Sequence, residues 1–388
     1  MANVEFPGAE YRRRYERAWR LMKDAGLAGL LATGESNHRY LTGHRTQFWV
    51  SLSRPMYTIL PLGRPPVCLV TEVEAAVLRA TSHVKDVRTW LGFADDSLPV
   101  LADILKELGF AGERVGVDFG QEMRLGLPLT CFRELERLAR DVRFVDGSPL
   151  LWSLRKIKSA REIDYIRKAC TATAKGLAHA FRVLKAGMTD RELALRMQAA
   201  MLEAGADRVR WCPIQAGRGN SAMFSHEPLG RRFRAGDTVW IDVGAQVHGY
   251  WSDFDRMAAV GRASARQKET YRAIWEVTRA CIEAVGPGIP IADVVRVRDR
   301  AYARMGFVET GGRSGRMGHG SGLDITEPPS VASFDPTILE PGMVIHVEPK
   351  MIRPHGCFQL EEVLAVTKTG SEYLSPPAPK TLPVADAA

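Results

Sequence analysis

The sequence predicts an α/β domain followed by an α+β domain whose antiparallel sheet is covered by helices. Three observations predict it. In the first part of the chain, helical and strand-like segments alternate, which points to helices packed on a mainly parallel sheet. Further on, amphipathic helices are followed by paired strands, and this happens twice, a hint of an internal pseudo-repeat. The 388 residues, 45% hydrophobic and 25% charged, are enough for two cores and ordinary for a globular protein.

The elements follow in order. Residues 11–25 have helical apolar spacing. Residues 29–32, 57–62 and 67–70 read as strands, 98–108 as a helix and 114–117 as another strand. The first domain is expected over residues 1–152. Residues 154–184 then read as one long helix. TDRE at 189–192 and SARQ at 264–267 are capping boxes opening two more helices, and residues 290–305 form a fourth. Strand pairs are expected at 238–247 with 250–260 and at 343–351 with 357–367. The second domain therefore spans residues 153–374, and 375–388 (SPPAPKTLPVADAA) reads as a loose Pro-rich tail.

Bulk properties exclude several function classes. The net charge of +8 is scattered in short clusters, so no nucleic-acid surface is expected. Six cysteines, at 68, 131, 170, 212, 281 and 357, form no CxxC pair. They read as reduced thiols in a cytoplasmic protein. MANVEFPGAEYRRR lacks the apolar core of a signal peptide, and no apolar run approaches a membrane span. HExxH, GxSxG and GxxxxGK[ST] are absent.

The acids carry the chemistry. IDVGAQVHGYWSDFDR (241–256) places Asp242, Asp253 and Asp255 in segments that otherwise read as strands, where aspartate is disfavoured. Asp242 and Asp253 straddle one turn; Glu348 and Glu361 straddle another. Read as cross-strand neighbours, they put two carboxylate pairs on an apolar face. A single acid per strand is usually a solvated outward residue. Four close buried anions instead need compensating cations, and four carboxylates balance two divalent ions. RMGHGSG (316–322) supplies His319 between glycines as a further ligand.

These segments, with NHRYLTG (37–43), KSAREI (158–163), GDT (236–238), GHGSGL (318–323), EPGM (340–343) and LEE (360–362), occur in the order seen in one family. The chain resembles the pita-bread metallopeptidase family M24 of prolidase, aminopeptidase P and creatinase, over nearly its whole length. The resemblance implies an α/β N-terminal creatinase-like domain and an α+β C-terminal pita-bread domain. It implies that Asp242 chelates one metal, that Asp253 and Glu361 bridge both, and that His319 and Glu348 complete the second. A hydroxide between the metals would attack a C–N (amide) bond, with Glu348 shuttling the proton and His226 facing the substrate. By itself His226 reads as a loop histidine. Mn²⁺ is the expected ion, with Co²⁺, Fe²⁺ and Zn²⁺ tolerated by the same ligands. The resemblance also implies a homodimer, residues 44–49 (HRTQFW) being a candidate lid over the neighbour's site.

The chain departs from the peptidases at substrate-handling positions. Thr326 stands where they carry a second histidine, Gly315 where many carry another, and Gln359 where they carry an arginine. Asp255 stands where S-D-x-T-R has threonine, and is expected to orient Arg256 or a ligand, or to reach the metals or the substrate. The expected function is Xaa-Pro peptidase-like hydrolysis of a short peptide. The alternatives are an enzyme of the same fold acting on a non-peptide small molecule (an amidinohydrolase, an ectoine-type hydrolase or a dimethylsulfoniopropionate-type lyase) and a non-catalytic binding module.

Overall fold

The computed structural model describes residues 5–217, 223–307 and 315–385. The chain divides into two compact units, Met1–Arg155 and Lys156–Ala388.

The first unit runs α1 (Gly8–Ala25), β1 (Gly29–Ala32), α2 (Glu35–Thr42), β2 (Tyr57–Pro61), β3 (Val67–Thr71), α3 (Glu72–Thr81), β4 (Asp86–Trp90), α4 (Ser97–Glu107), β5 (Arg114–Val117), α5 (Leu129–Leu138), β6 (Arg143–Asp146) and α6 (Ser148–Lys156). Its six strands are ordered β4-β3-β2-β1-β5-β6. The sheet is mixed, which qualifies the expected parallel one: β2 runs antiparallel to both β1 and β3, while the outer pairs are parallel. The connection from β2 to β3 is too short for the crossover a parallel pair requires. The strands β1, β2 and β3 are buried throughout, as a sheet packed on both faces demands.

The second unit opens with α7 (Ala160–Val183), α8 (Asp190–Glu203), β7 (Arg208–Trp211) and β8 (Ile214–Ala216). Residues 154–184 are therefore not one helix. Ser159 caps α7 by accepting from Glu162 N, and the Glu162 carboxylate accepts from Ser159 N. That capping box stops α6 from running on. The boxes expected at Thr189 and Ser264 form as well.

Next come β9 (Thr238–Val247), β10 (Tyr250–Trp251), β11 (Phe254–Val260), α9 (Ala265–Glu283) and α10 (Ile291–Arg304). They are followed by β12 (His319–Gly320), β13 (Glu327–Ser330), β14 (Val344–Val347), β15 (Lys350–Arg353), β16 (Gly356–Gln359), β17 (Glu362–Val366), β18 (Ser371–Tyr373) and β19 (Val384–Ala385). One sheet is centred on β9, with β7, β8, β10 and β11 paired to it. A second has the order β13-β12-β14-β17-β18. Helices α9 and α10 pack Tyr271, Ile274, Val277, Ile291 and Val294 against Trp240, Ile345 and Leu364 in one apolar core.

Residues 375–385 are not a loose tail. β19 pairs in parallel with β11 through Ala259 and Val260, and Ser375 and Leu382 are buried. Arg256 makes the attachment. Its guanidinium donates to Pro376 O and to Glu362 Oε2 (2.8 Å), and Glu362 in turn accepts from Ser375 Oγ (2.6 Å) and Ala378 N (2.7 Å). A Pro-rich segment lacks N–H groups for a ladder, so side chains of the preceding sheet tie it down.

Candidate metal centre

The hairpins do not run as unbroken strands. Asp253 lies in the gap between β10 and β11, Glu348 in the gap between β14 and β15, and Glu361 between β16 and β17. Those three carboxylates thereby avoid the ladder, whereas Asp242 and Asp255 pair within it. The register also corrects a pairing expected from the turn. Asp242 lies opposite Asp255, not Asp253. Asp253 sits two residues along, diagonal to Asp242 and still within reach on the same face.

His319 enters from β12. Its loop passes so close to β13 and β14 that a Cβ on Gly318, whose φ is +149°, would meet His346 O at 1.9 Å, and one on Gly320 would meet Pro328 O at 2.7 Å. Only glycine permits this approach. His319 Nδ1 bonds Gly320 O at 2.9 Å, which leaves Nε2 facing Asp253 Oδ2 at 3.7 Å and Glu348 Oε1 at 3.9 Å.

One member of the cluster was not expected. His346 is fully buried and stacks on His319, with ring centroids 4.6 Å apart. Its Nδ1 lies 2.8 Å from Glu361 Oε1 and its Nε2 lies 2.7 Å from Ser321 Oγ. One potential donor atom from each of Asp253, His319, His346 and Glu361 falls within a span of 4.8 Å. His346 lies on β14, one residue before that strand ends and two before Glu348.

The remaining candidates surround this group. Gln359 donates to Glu348 Oε2 at 2.7 Å. Asp255 is fully buried and accepts from Glu361 N at 3.2 Å, so its contact is to the backbone of a site residue. Thr326 is half-buried beside Glu327, whose carboxylate pairs with buried Lys158 at 3.1 Å. His226 bonds Met223 O through Nδ1 at 3.0 Å. It lines a cavity of about 480 Å³ with Arg191, Gln198, Trp211, Cys212 and Ser225. Pro213, on the same wall, accepts a hydrogen bond from Asp242 N.

The electrostatics are those of crowded, enclosed acids. Burial, reinforced by Glu348, pushes Asp242 up to about 7. Burial holds Asp253, Asp255 and Glu361 well above the ordinary carboxylate range, and neighbouring acids add to the rise. Burial also lowers His319 and, further, His346, which keeps both imidazoles neutral and able to ligate. Asp242 Oδ1, Asp253 Oδ1 and Asp255 Oδ2 are enclosed without a hydrogen-bond partner. Unpartnered buried acceptors are costly, and these acids can bond one another only by keeping protons, as Asp242 and Asp253 do when raised. Divalent cations would satisfy them, and a mixed carboxylate–imidazole set suits first-row ions. The residues present therefore fit a metal centre.

The model of metallopeptidase family M24 matches residues 164–368, and that of the creatinase/prolidase N-terminal domain matches residues 14–157. The chain belongs to metallopeptidase family M24. This M24 chain is 32% identical over 250 residues to a Xaa-Pro dipeptidase of Pyrococcus horikoshii, covering 64% of the chain and 71% of the relative. It is 28% identical over 377 residues to the probable dipeptidase PepE of Mycobacterium tuberculosis, covering 96% of each. Among solved structures, dipeptidase PepE from Mycobacterium ulcerans superposes with a TM-score of 0.83 at 28% identity, covering 98% of the chain and 99% of that structure. The M24 architecture, a creatinase-type first domain and a second domain of antiparallel sheets with helices, is the one expected from the sequence.

Proposed function

We propose that this chain is a dinuclear metal-dependent dipeptidase that hydrolyses the amide bond of Xaa-Pro or similar short peptides. The observation that carries the reading is the enclosed, unpartnered carboxylate oxygens of Asp242, Asp253 and Asp255, together with Asp253 and Glu348 facing Nε2 of His319. Asp242, Asp253, His319, Glu348 and Glu361 would hold the two ions. When bound, divalent ions supply Lewis acidity and lower the pKa of water into the neutral range.

The chain's own residues do the rest. Glu348 is half-buried, with 18% of its side chain exposed. Oε2 is fixed by Gln359, so Oε1 is the atom placed to take a proton and return it to the leaving nitrogen. We assign substrate contact to His226, on its loop. Gln359 gives its amide to Glu348 and so does not clamp a substrate carboxylate. Mn²⁺ is the first candidate ion. The unpaired state of all six cysteines supports a reducing, cytoplasmic setting, and we infer a homodimer from the family. Among the described residues, no helix is long and apolar enough to cross a membrane.

The test is hydrolysis by protein loaded with Mn²⁺ or Co²⁺, assayed on Xaa-Pro dipeptides, on other dipeptides and on non-peptide amidines and ureas. The expected result is turnover of dipeptides that chelation abolishes. Turnover of only the non-peptide compounds, or of nothing by protein with both ions bound, would reject the reading.

A further inference from the structure

Glu361, His346 and Ser321 form a continuous hydrogen-bonded row. The contacts are 2.8 Å from Glu361 Oε1 to His346 Nδ1 and 2.7 Å from His346 Nε2 to Ser321 Oγ. All three residues are at most 2% exposed. Acid, imidazole and hydroxyl follow the order of a serine-hydrolase triad. Ser321, however, is wholly enclosed, so its hydroxyl has no route to a substrate. The row has another use, one that rests on the dinuclear reading above.

We propose that His346 is a positioning residue that holds Glu361 in its metal-ligating rotamer through a fixed Nδ1–H donor, with Ser321 holding the ring. With the ions bound Glu361 is ionised, accepts and cannot donate, so the proton at this contact belongs to His346 Nδ1. A neutral ring then has a lone pair on Nε2, which accepts a hydrogen bond from the Ser321 hydroxyl. Rotation of the ring is blocked on one face by His319. Glu361 is thus held at three points, its side chain by His346, its backbone N–H by Asp255 and its carbonyl by Arg256. Its second carboxylate oxygen remains for an ion. Such outer partners fix ligand orientation, and their loss commonly costs about 10–100-fold in metal affinity.

Substitutions at His346 separate this role from direct ligation. Asn places its amide nitrogen where Nδ1 stands and keeps a donor to Glu361. Gln places its amide near Nε2 and loses that donor. Metal-free wild type, His346→Asn, His346→Gln and Ser321→Ala are titrated with Mn²⁺ by calorimetry. The Co²⁺ forms are compared by their visible spectra, and folding is checked by circular dichroism. Two bound ions are expected in wild type. Gln should weaken one of them about 10–100-fold, Ser321→Ala should weaken it less, and Asn should stay close to wild type with an unchanged Co²⁺ spectrum. Equal affinity in folded wild type and His346→Gln overturns the proposal while leaving the dinuclear reading intact. Equal loss in Asn and Gln, with a Co²⁺ spectrum shifted by removal of an imidazole, overturns it in favour of direct ligation. A wild type that takes up no Mn²⁺ overturns both.

Discussion

Arg256→Met should destabilise the second unit by about 4 kcal/mol, and the structure shows why. Arg256 is buried, and its guanidinium donates to Asp255 O and Glu361 O, both at 2.7 Å, to Glu362 Oε2 at 2.8 Å and to Pro376 O. Methionine fills much of the volume but supplies no donor. Breaking a buried pair from one side costs roughly 3–5 kcal/mol, because the other charge is left unpaired. Glu362 keeps Ser375 Oγ and Ala378 N, which moderates the charge term. About 4 kcal/mol is a large part of a typical total of roughly 5–15 kcal/mol. Urea unfolding of the chelated protein at constant pH measures the effect without contributions from bound ions. Adding Glu362→Gln to Arg256→Met should recover part of the loss, since the unpaired charge is gone. A single variant within about 1 kcal/mol of wild type, the range of a solvated ion pair, would refute the reasoning. So would a double variant no more stable than the single.

Other outcomes follow from the same structure. Burial lowers His44 to about 4, so the fold keeps it neutral while the unfolded chain protonates it below about 6.5. Stability should therefore fall as pH drops from 6.5 to 4, by up to about 3 kcal/mol from this residue; His44→Gln should flatten that slope in denaturant titrations. Loading the metal-free protein with Mn²⁺ at pH 7 should release protons, because Asp242 is pushed up to about 7 and Asp253 and Glu361 higher. Calorimetry in buffers of different ionisation enthalpy counts the protons, and zero release would contradict the raised values. Asp253→Ala should abolish hydrolysis while leaving a folded chain, and full activity in that variant would remove the proposed mechanism.

The departures from the peptidase pattern take on a physical meaning here. Gln359 turns inward to Glu348 and Asp255 turns to the Glu361 backbone. Both act on the residues proposed as ligands. Arg256 donates to the Asp255 carbonyl, and its charge acts on the Asp255 carboxylate. The third aspartate of IDVGAQVHGYWSDFDR thus supports the break in β17's approach at Glu361.

By itself the sequence determined the two-domain architecture and the helix starts with capping boxes, and it singled out Asp242, Asp253, His319, Glu348 and Glu361 as candidate ligands. These depend on local chemistry or on motifs spaced along one strand or loop, and such signals survive in a linear string. Tertiary structure alone decided the rest. The Asp242–Asp255 register, the anchoring of residues 375–385 and the row from Glu361 through His346 to Ser321 join residues far apart in sequence. His346 drew no notice because a lone imidazole in an apolar strand says nothing until its neighbours are in place. Hydrogen bonds of this kind are set by how separate strands pack, and packing is a property of the whole fold.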